Sequence, residues 1–164
     1  MSEHIEGWWF SAGKTLPNDD GRRIKVGVTH HVEGKIVPCA NGLHASVRPL
    51  DALKYAPGPI VWRVRLSGTI VEHNGDKHAA SERAYLAGGV DATDALRKFA
   101  RLCARDVLHL WDAQDVVTRY LRTGDETIRV VARDAARAAA LAAGDAQNRR
   151  LARMLRELVK SHTT

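Results

Sequence analysis

Residues Cys39 to Pro59 read C-A-N-G-L-H-A-S-V-R-P-L-D-A-L-K-Y-A-P-G-P, and the order of features within this stretch decides the fold. Asn41-Gly42 is a turn pair, since both residues tolerate positive φ. Leu43-His44-Ala45-Ser46 then alternates, which puts Leu43 and Ala45 on one side of an extended segment and His44 and Ser46 on the other. Pro49 suits the first turn of a helix, where its missing N–H costs nothing. That helix is predicted over 49–56, with Leu50, Leu53 and Ala56 on its seam, and Pro57-Gly58-Pro59 ends it. The stretch is a turn, strand and helix leading into another strand.

Working outward, Ile60 to Leu66 has a period of two, with Ile60, Trp62, Val64 and Leu66 on one face and Arg63 and Arg65 on the other. Thr69 to Glu72 extends it past Gly68, and Asn74-Gly75-Asp76 turns the chain. Upstream, Trp8-Trp9-Phe10 suits a strand covered on both faces. Ile24 to Val32 alternates loosely, and Glu33-Gly34 fits a hairpin turn into Lys35–Cys39. Lys77 to Leu86 reads equally as a helix or an edge strand.

After Gly88-Gly89 the signals become helical. Asp91 or Thr93 can cap a helix through about Trp111, with Leu96, Phe99, Cys103 and Val107 at helical spacing. A shorter helix is predicted over Asp115–Leu121. Thr123 and Glu126 have capping-box spacing for a third, reaching about Ala143. Gly144 and Asp145 fit a C-cap and an N-cap, and a last helix carries Leu151, Leu155 and Leu158. The fold class is therefore α+β. Residues 1–89 form a mostly antiparallel sheet with one packed helix, and residues 90–164 form a helical annex, rich in Ala and Arg from 129.

The chain has 164 residues, long enough to bury a core, and three of its four tryptophans lie in the first hundred. A net charge of +6 admits nucleic acid, an acidic protein or an anionic surface without choosing among them. Two distant cysteines, no signal peptide and no membrane-length apolar run predict a reduced cytoplasmic protein with no membrane partner. Cys39 and Cys103 are expected as buried single thiols. The alanine-rich tail suits close helix packing or a homo-oligomer.

Several constellations can carry chemistry. His44 and Ser46 share a strand face, which admits a base and a nucleophile but equally a braced turn. Arg63, Arg65, Asp76, Lys77 and Arg83 are candidate binding residues, with a salt-bridged surface as the ordinary alternative. Gly13-Lys14-Thr15 is no phosphate loop: the glycine spacing is wrong and tryptophans crowd the turn. No metal site is expected, because neither C-x-x-C nor H-E-x-x-H occurs. The tail arginines from Arg129 to Arg156 alternate with carboxylates, so a nucleic-acid stripe or virion role rests on charge alone.

The run C-x-x-G-L-H-A-S, then D-A-L-x-Y-A-P-G, D-K, S-E-R and V-D-A-T before an alanine-rich tail resembles a group of uncharacterised phage and prophage proteins. The resemblance spans Trp9 to the tail. It implies a non-enzymatic accessory protein in the host cytoplasm that binds a host macromolecule, a protein before a nucleic acid, and inhibits a host defence system. A second resemblance is to ADP-ribosyltransferase-type folds, carried by Gly42 to Ser46, Asp51 to Tyr55 and Val61 to Leu66, with His44 where an aromatic is usual. It implies an NAD-consuming enzyme with His44, Ser46, Tyr55 and Glu82 at its site, Ser46 supporting the cofactor and Glu82 orienting the ribose.

Overall fold

The computed structural model describes residues 4–17, 20–110, 115–130 and 144–162. The fold is α+β. Strands β1 (Ile5–Ser11), β2 (Thr29–His31) and β3 (Leu43–Ala45) precede helix α1 (Pro49–Lys54). Two long strands follow, β4 (Ile60–His73) and β5 (Lys77–Asp91), and then helices α2 (Thr93–Asp106), α3 (Asp115–Thr123) and α4 (Gly144–Lys160). The chain divides into two compact units, Met1–Ala92 with Leu155–Thr164, and Thr93–Met154.

All pairings in the five-stranded sheet are antiparallel. β1 pairs with β4, β4 with β5, and β5 with both β2 and β3. Just past β3, Ser46 bridges back to Trp8 in β1, with the Trp8 N–H donating to Ser46 O at 2.7 Å and the Ser46 N–H to Trp8 O at 3.0 Å. The strand circuit β1-β4-β5-β3 thus closes into a small barrel without an open edge at the join. Gly7 permits the closure, because a Cβ there would lie 2.7 Å from the Ser46 carbonyl oxygen. Closure also needs a bent ribbon. Register shifts in the β4–β5 pair supply the bend, and at one of them Gly88 (φ 119) lies where a Cβ would meet Val61 O at 2.4 Å.

The interior of the barrel is built by the alternation read in β4. Trp62, Val64 and Leu66 point into a cluster with Leu16, Ile24, Leu43, Ala45, Ala80 and Tyr85. α1 starts with Pro49 as predicted, and its N-cap Arg48 makes no side-chain cap bond. The segment 77–86 is neither a helix nor an edge strand: β5 runs through the centre of the sheet, with β4 on one side and β2 and β3 on the other. Its buried positions include Lys77, Ala79, Ala80, Arg83 and Tyr85. Two buried cations and an adjacent pair of buried alanines hide the strand from any hydrophobic count. β2 is shorter than the predicted 24–32, since Gly27 (φ 85) turns the chain before Thr29. Lys35–Cys39 forms a tight turn closed by a Val37–Asn41 bridge, not a strand.

In the second unit, Ala104, Val117, Tyr120 and Leu121 form a small core against which Leu108 and Ile128 pack. The predicted box at Thr123 and Glu126 does not form. Asp125 instead caps a short 3₁₀ turn, accepting from the Thr127 N–H at 3.0 Å, and Thr123 donates back to Arg119 O. The helix predicted to reach Ala143 falls mostly outside the described residues. Gly144 is the first residue of α4, and the segment it is predicted to cap lies outside the described residues. The buried stripe of α4 is Leu151, Leu155 and Val159, an i, i+4, i+8 row that leaves Leu158 half-exposed.

Candidate functional site

The barrel buries an unusual set of polar side chains, and they converge on two adjoining hollows of about 240 and 210 Å³. Trp9, Pro17 and His44 line both. The larger is completed by Arg83, Cys39 and Asn41, and the smaller by Trp8, Ser46, Tyr55 and Lys77.

Arg83 is only 2% exposed, and no described carboxylate pairs with it. Its guanidinium lies over the Trp9 ring at 3.7 Å. Nε and Nη2 donate to the Tyr85 hydroxyl oxygen at 3.1 and 2.8 Å, and Nη1 donates to His44 O at 2.8 Å. Those three bonds leave two of the five N–H donors without a partner among the described residues. Burial pulls the Arg83 pKa below its ordinary value. An ion taken out of water costs several kcal/mol unless it is compensated. Hydrogen bonds and ring stacking offset part of that cost, and a matching anion would supply the rest.

Behind Arg83 runs an ordered chain of hydrogen bonds. His30 Nε2 lies 3.1 Å from Arg23 O, which can only accept, so the imidazole proton sits on Nε2 and Nδ1 is left as an acceptor. The Tyr85 hydroxyl, 3.0 Å away, therefore donates to His30 Nδ1 while its oxygen accepts from Arg83. Burial raises the Tyr85 pKa and lowers that of His30, keeping both neutral around the one charge.

His44 separates the two hollows. Its Nε2 accepts from the Cys39 N–H at 3.3 Å, so the neutral ring carries its proton on Nδ1, which has no partner among the described residues. Burial is the main reason that the His44 pKa falls to about 4, with the charges of Lys77, Arg83 and His73 adding to it. Lys77, 6% exposed, caps the Tyr55 ring at 4.0 Å and donates to Cys39 Sγ at 3.2 Å. The Tyr55 hydroxyl is fixed in turn by Asp76, at 2.9 Å.

Residues 18–98 match a domain of unknown function (DUF7666). The match covers just under half of the chain and takes in Cys39, His44, Ser46, Lys77 and Arg83, whereas Trp8 and Trp9 precede it. No curated protein and no solved structure matches the chain.

Of the residues singled out in the sequence, His44, Ser46 and Tyr55 meet at the smaller hollow. Glu82 does not join them. It sits on the opposite face of β5, accepting from the Ser67 hydroxyl at 2.8 Å and lying 3.8 Å from His31 Nδ1. Arg63 and Arg65 flank Glu6 at 3.2 and 2.7 Å, which holds the Glu6 carboxyl below the usual carboxylate range. Asp76 ties Lys54 and Tyr55. Cys39 is exposed where a buried thiol was expected, and only Cys103 is buried; both are free. Among the described residues no group of three or more His, Cys, Asp or Glu is placed to hold a metal ion, and no helix is long and apolar enough to cross a membrane. Sequence reasoning missed Trp8 and Trp9 as cleft walls. Their signal was two adjacent rings opening a strand whose alternate faces both needed cover.

Proposed function

We propose that the barrel is a binding module for a planar, anionic ligand of the nucleotide class. The observation that carries this reading is Arg83, a buried guanidinium stacked on Trp9 at the edge of a cavity, with no carboxylate partner among the described residues. Its free N–H donors suit a phosphate or carboxylate group. Trp9 and Tyr55, each with a cation on one face, line the hollows as ring surface against which a base can stack, and the Nδ1–H of His44 adds a donor between the two hollows. Together the hollows reach the size of ordinary small-ligand sites.

Binding is favoured over transferase chemistry by the position of Glu82, which the NAD-consuming reading needs beside Ser46. An accessory role exerted on a host macromolecule through Arg63 and Arg65 has less support, because Glu6 already partners both guanidinium groups. The test is thermal unfolding with millimolar ADP, NAD or inorganic phosphate. A ligand at a hundred times its Kd stabilises the fold by about 2.7 kcal/mol, which raises Tm by several degrees. The nucleotides should raise Tm in the wild type and not in Arg83→Met. Release of nicotinamide from NAD, assayed alongside, would return the transferase reading to first place. No shift with any of the three would overturn the proposal.

A further inference from the structure

Cys39 occupies a left-handed backbone position (φ 69) in a turn held by reciprocal bonds between Val37 and Asn41, both at 2.8 Å. A non-glycine residue is uncommon there and marks a site worth examining for function. The His44 ring accepts its N–H, so the turn cannot easily swing away. Cys39 is an exposed residue, and its sulfur receives the Lys77 ammonium at 3.2 Å. Lys77 is fixed from behind: it is buried, it rests on Tyr55, and no described carboxylate forms an ion pair with it. Cysteine reactivity rises beside a cation and with exposure, and Cys39 has both.

We propose that Cys39 and Lys77 form a reversible covalent sulfenamide link when the protein meets a peroxide. In the first step the thiolate sulfur attacks one oxygen of hydrogen peroxide. The S–O bond forms as the O–O bond breaks, hydroxide leaves, and sulfur is oxidised by two electrons to the sulfenic acid. In the second, the hydroxide released by the first step takes a proton from the Lys77 ammonium as the first water, and the resulting amine attacks that sulfur. The S–N bond forms, the S–O bond breaks, and the departing hydroxide takes the amine proton as water. Overall one thiol, one amine and one peroxide give one sulfenamide and two waters. A thiol reductant reverses the link by attacking sulfur and releasing the amine.

The link removes one cation from the smaller hollow and ties the 37–41 turn to the first residue of β5. Its effect on ligand affinity rests on the nucleotide reading above, with oxidised protein expected to bind ADP at least tenfold more weakly. The chemistry of the link does not depend on that reading.

The experiment treats the full chain with equimolar hydrogen peroxide and maps its tryptic peptides by mass. The expected map joins the Cys39 peptide to the one containing Lys77 with the loss of two hydrogens. Cleavage after Lys77 is lost in most of the protein, and dithiothreitol restores it. Cys103, buried with its thiol pushed up to about 11, stays reduced and serves as the internal control. Lys77→Arg should abolish the link and leave Cys39 as the sulfenic acid, which a second equivalent of peroxide carries on to sulfinic acid; should that variant not fold, the wild-type map alone decides. Cys39 oxidised to sulfinic or sulfonic acid, or into a disulfide, with Lys77 still cleaved would overturn the proposal. A normal link in a protein that never binds nucleotide would remove the ligand reading alone.

Discussion

The barrel and the helical unit solve the problem of a small core differently. The barrel packs two large rings, Trp62 and Tyr85, at 2% and 1% exposure, and buries Arg83, Lys77, His30 and Ser46 beside them. The helical unit closes on Ala104, Val117, Tyr120 and Leu121, and keeps its charges outside in pairs such as Arg129–Glu126 and Arg150–Asp106. A region that needs only to stand can leave its charges in water, where each pair is worth little. A region that spends stability on buried cations has a use for them, and the barrel is that region.

The largest expected effect is in the barrel core. Trp62→Ala removes a ring that meets Tyr85 edge-on at 5.4 Å and whose indole N–H donates to Ser11 at 2.9 Å. It should cost about 3–5 kcal/mol in urea unfolding. An equally large loss from Ala104→Gly in the small helical core would erase the contrast between the two regions. Next, Gly88→Ala forces a Cβ into backbone at a left-handed position and should cost about 2–4 kcal/mol. Gly144→Ala, with nothing within 4 Å, should be neutral or stabilise by under about 1 kcal/mol.

The pH response sharpens the comparison further. His44 is held neutral in the folded barrel down to about pH 4, whereas the unfolded chain protonates it near its ordinary value of 6.5. Its contribution is therefore complete above about pH 6.5 and is lost as pH falls toward 4. Because His44 is only partly buried, solvent screening limits the loss to about 1–2 kcal/mol. His30 acts in the same direction. Chemical unfolding at pH 7 and pH 4.5 reads the change, and His44→Phe should flatten it in part. The smallest effect belongs to the partly exposed cluster at Glu6, where Arg63→Ala should cost under about 1 kcal/mol and less in high salt.

Much of the barrel was legible before any coordinates. The entry of α1 at Pro49 and the inward row of β4 follow from local rules, and the structure keeps both; the turn read at Asn41-Gly42 falls instead at residues 38–40, with Cys39 at positive φ and Asn41 bridged to Val37. β5 was illegible because its buried positions carry Lys77 and Arg83, whose burial depends on Tyr55 and Trp9 arriving from elsewhere. The candidate site was half visible for the same reason. His44 and Ser46 announce themselves by spacing, while the value of Arg83 depends on a cavity whose walls, among them Trp9, Leu16 and Cys39, come from distant parts of the chain. Glu82 and Arg83 are neighbours in sequence and lie on opposite faces of β5, so a one-residue choice of face separates the transferase reading from the binding reading.

Amide hydrogen exchange with and without millimolar ADP tests the central claim most directly. The predicted result is slower exchange at Trp8 and Trp9, through Cys39 to Ser46 and around Arg83, with no change in Thr93–Ile128. Unchanged exchange around Arg83 and His44, or protection confined to the helices, would contradict the account.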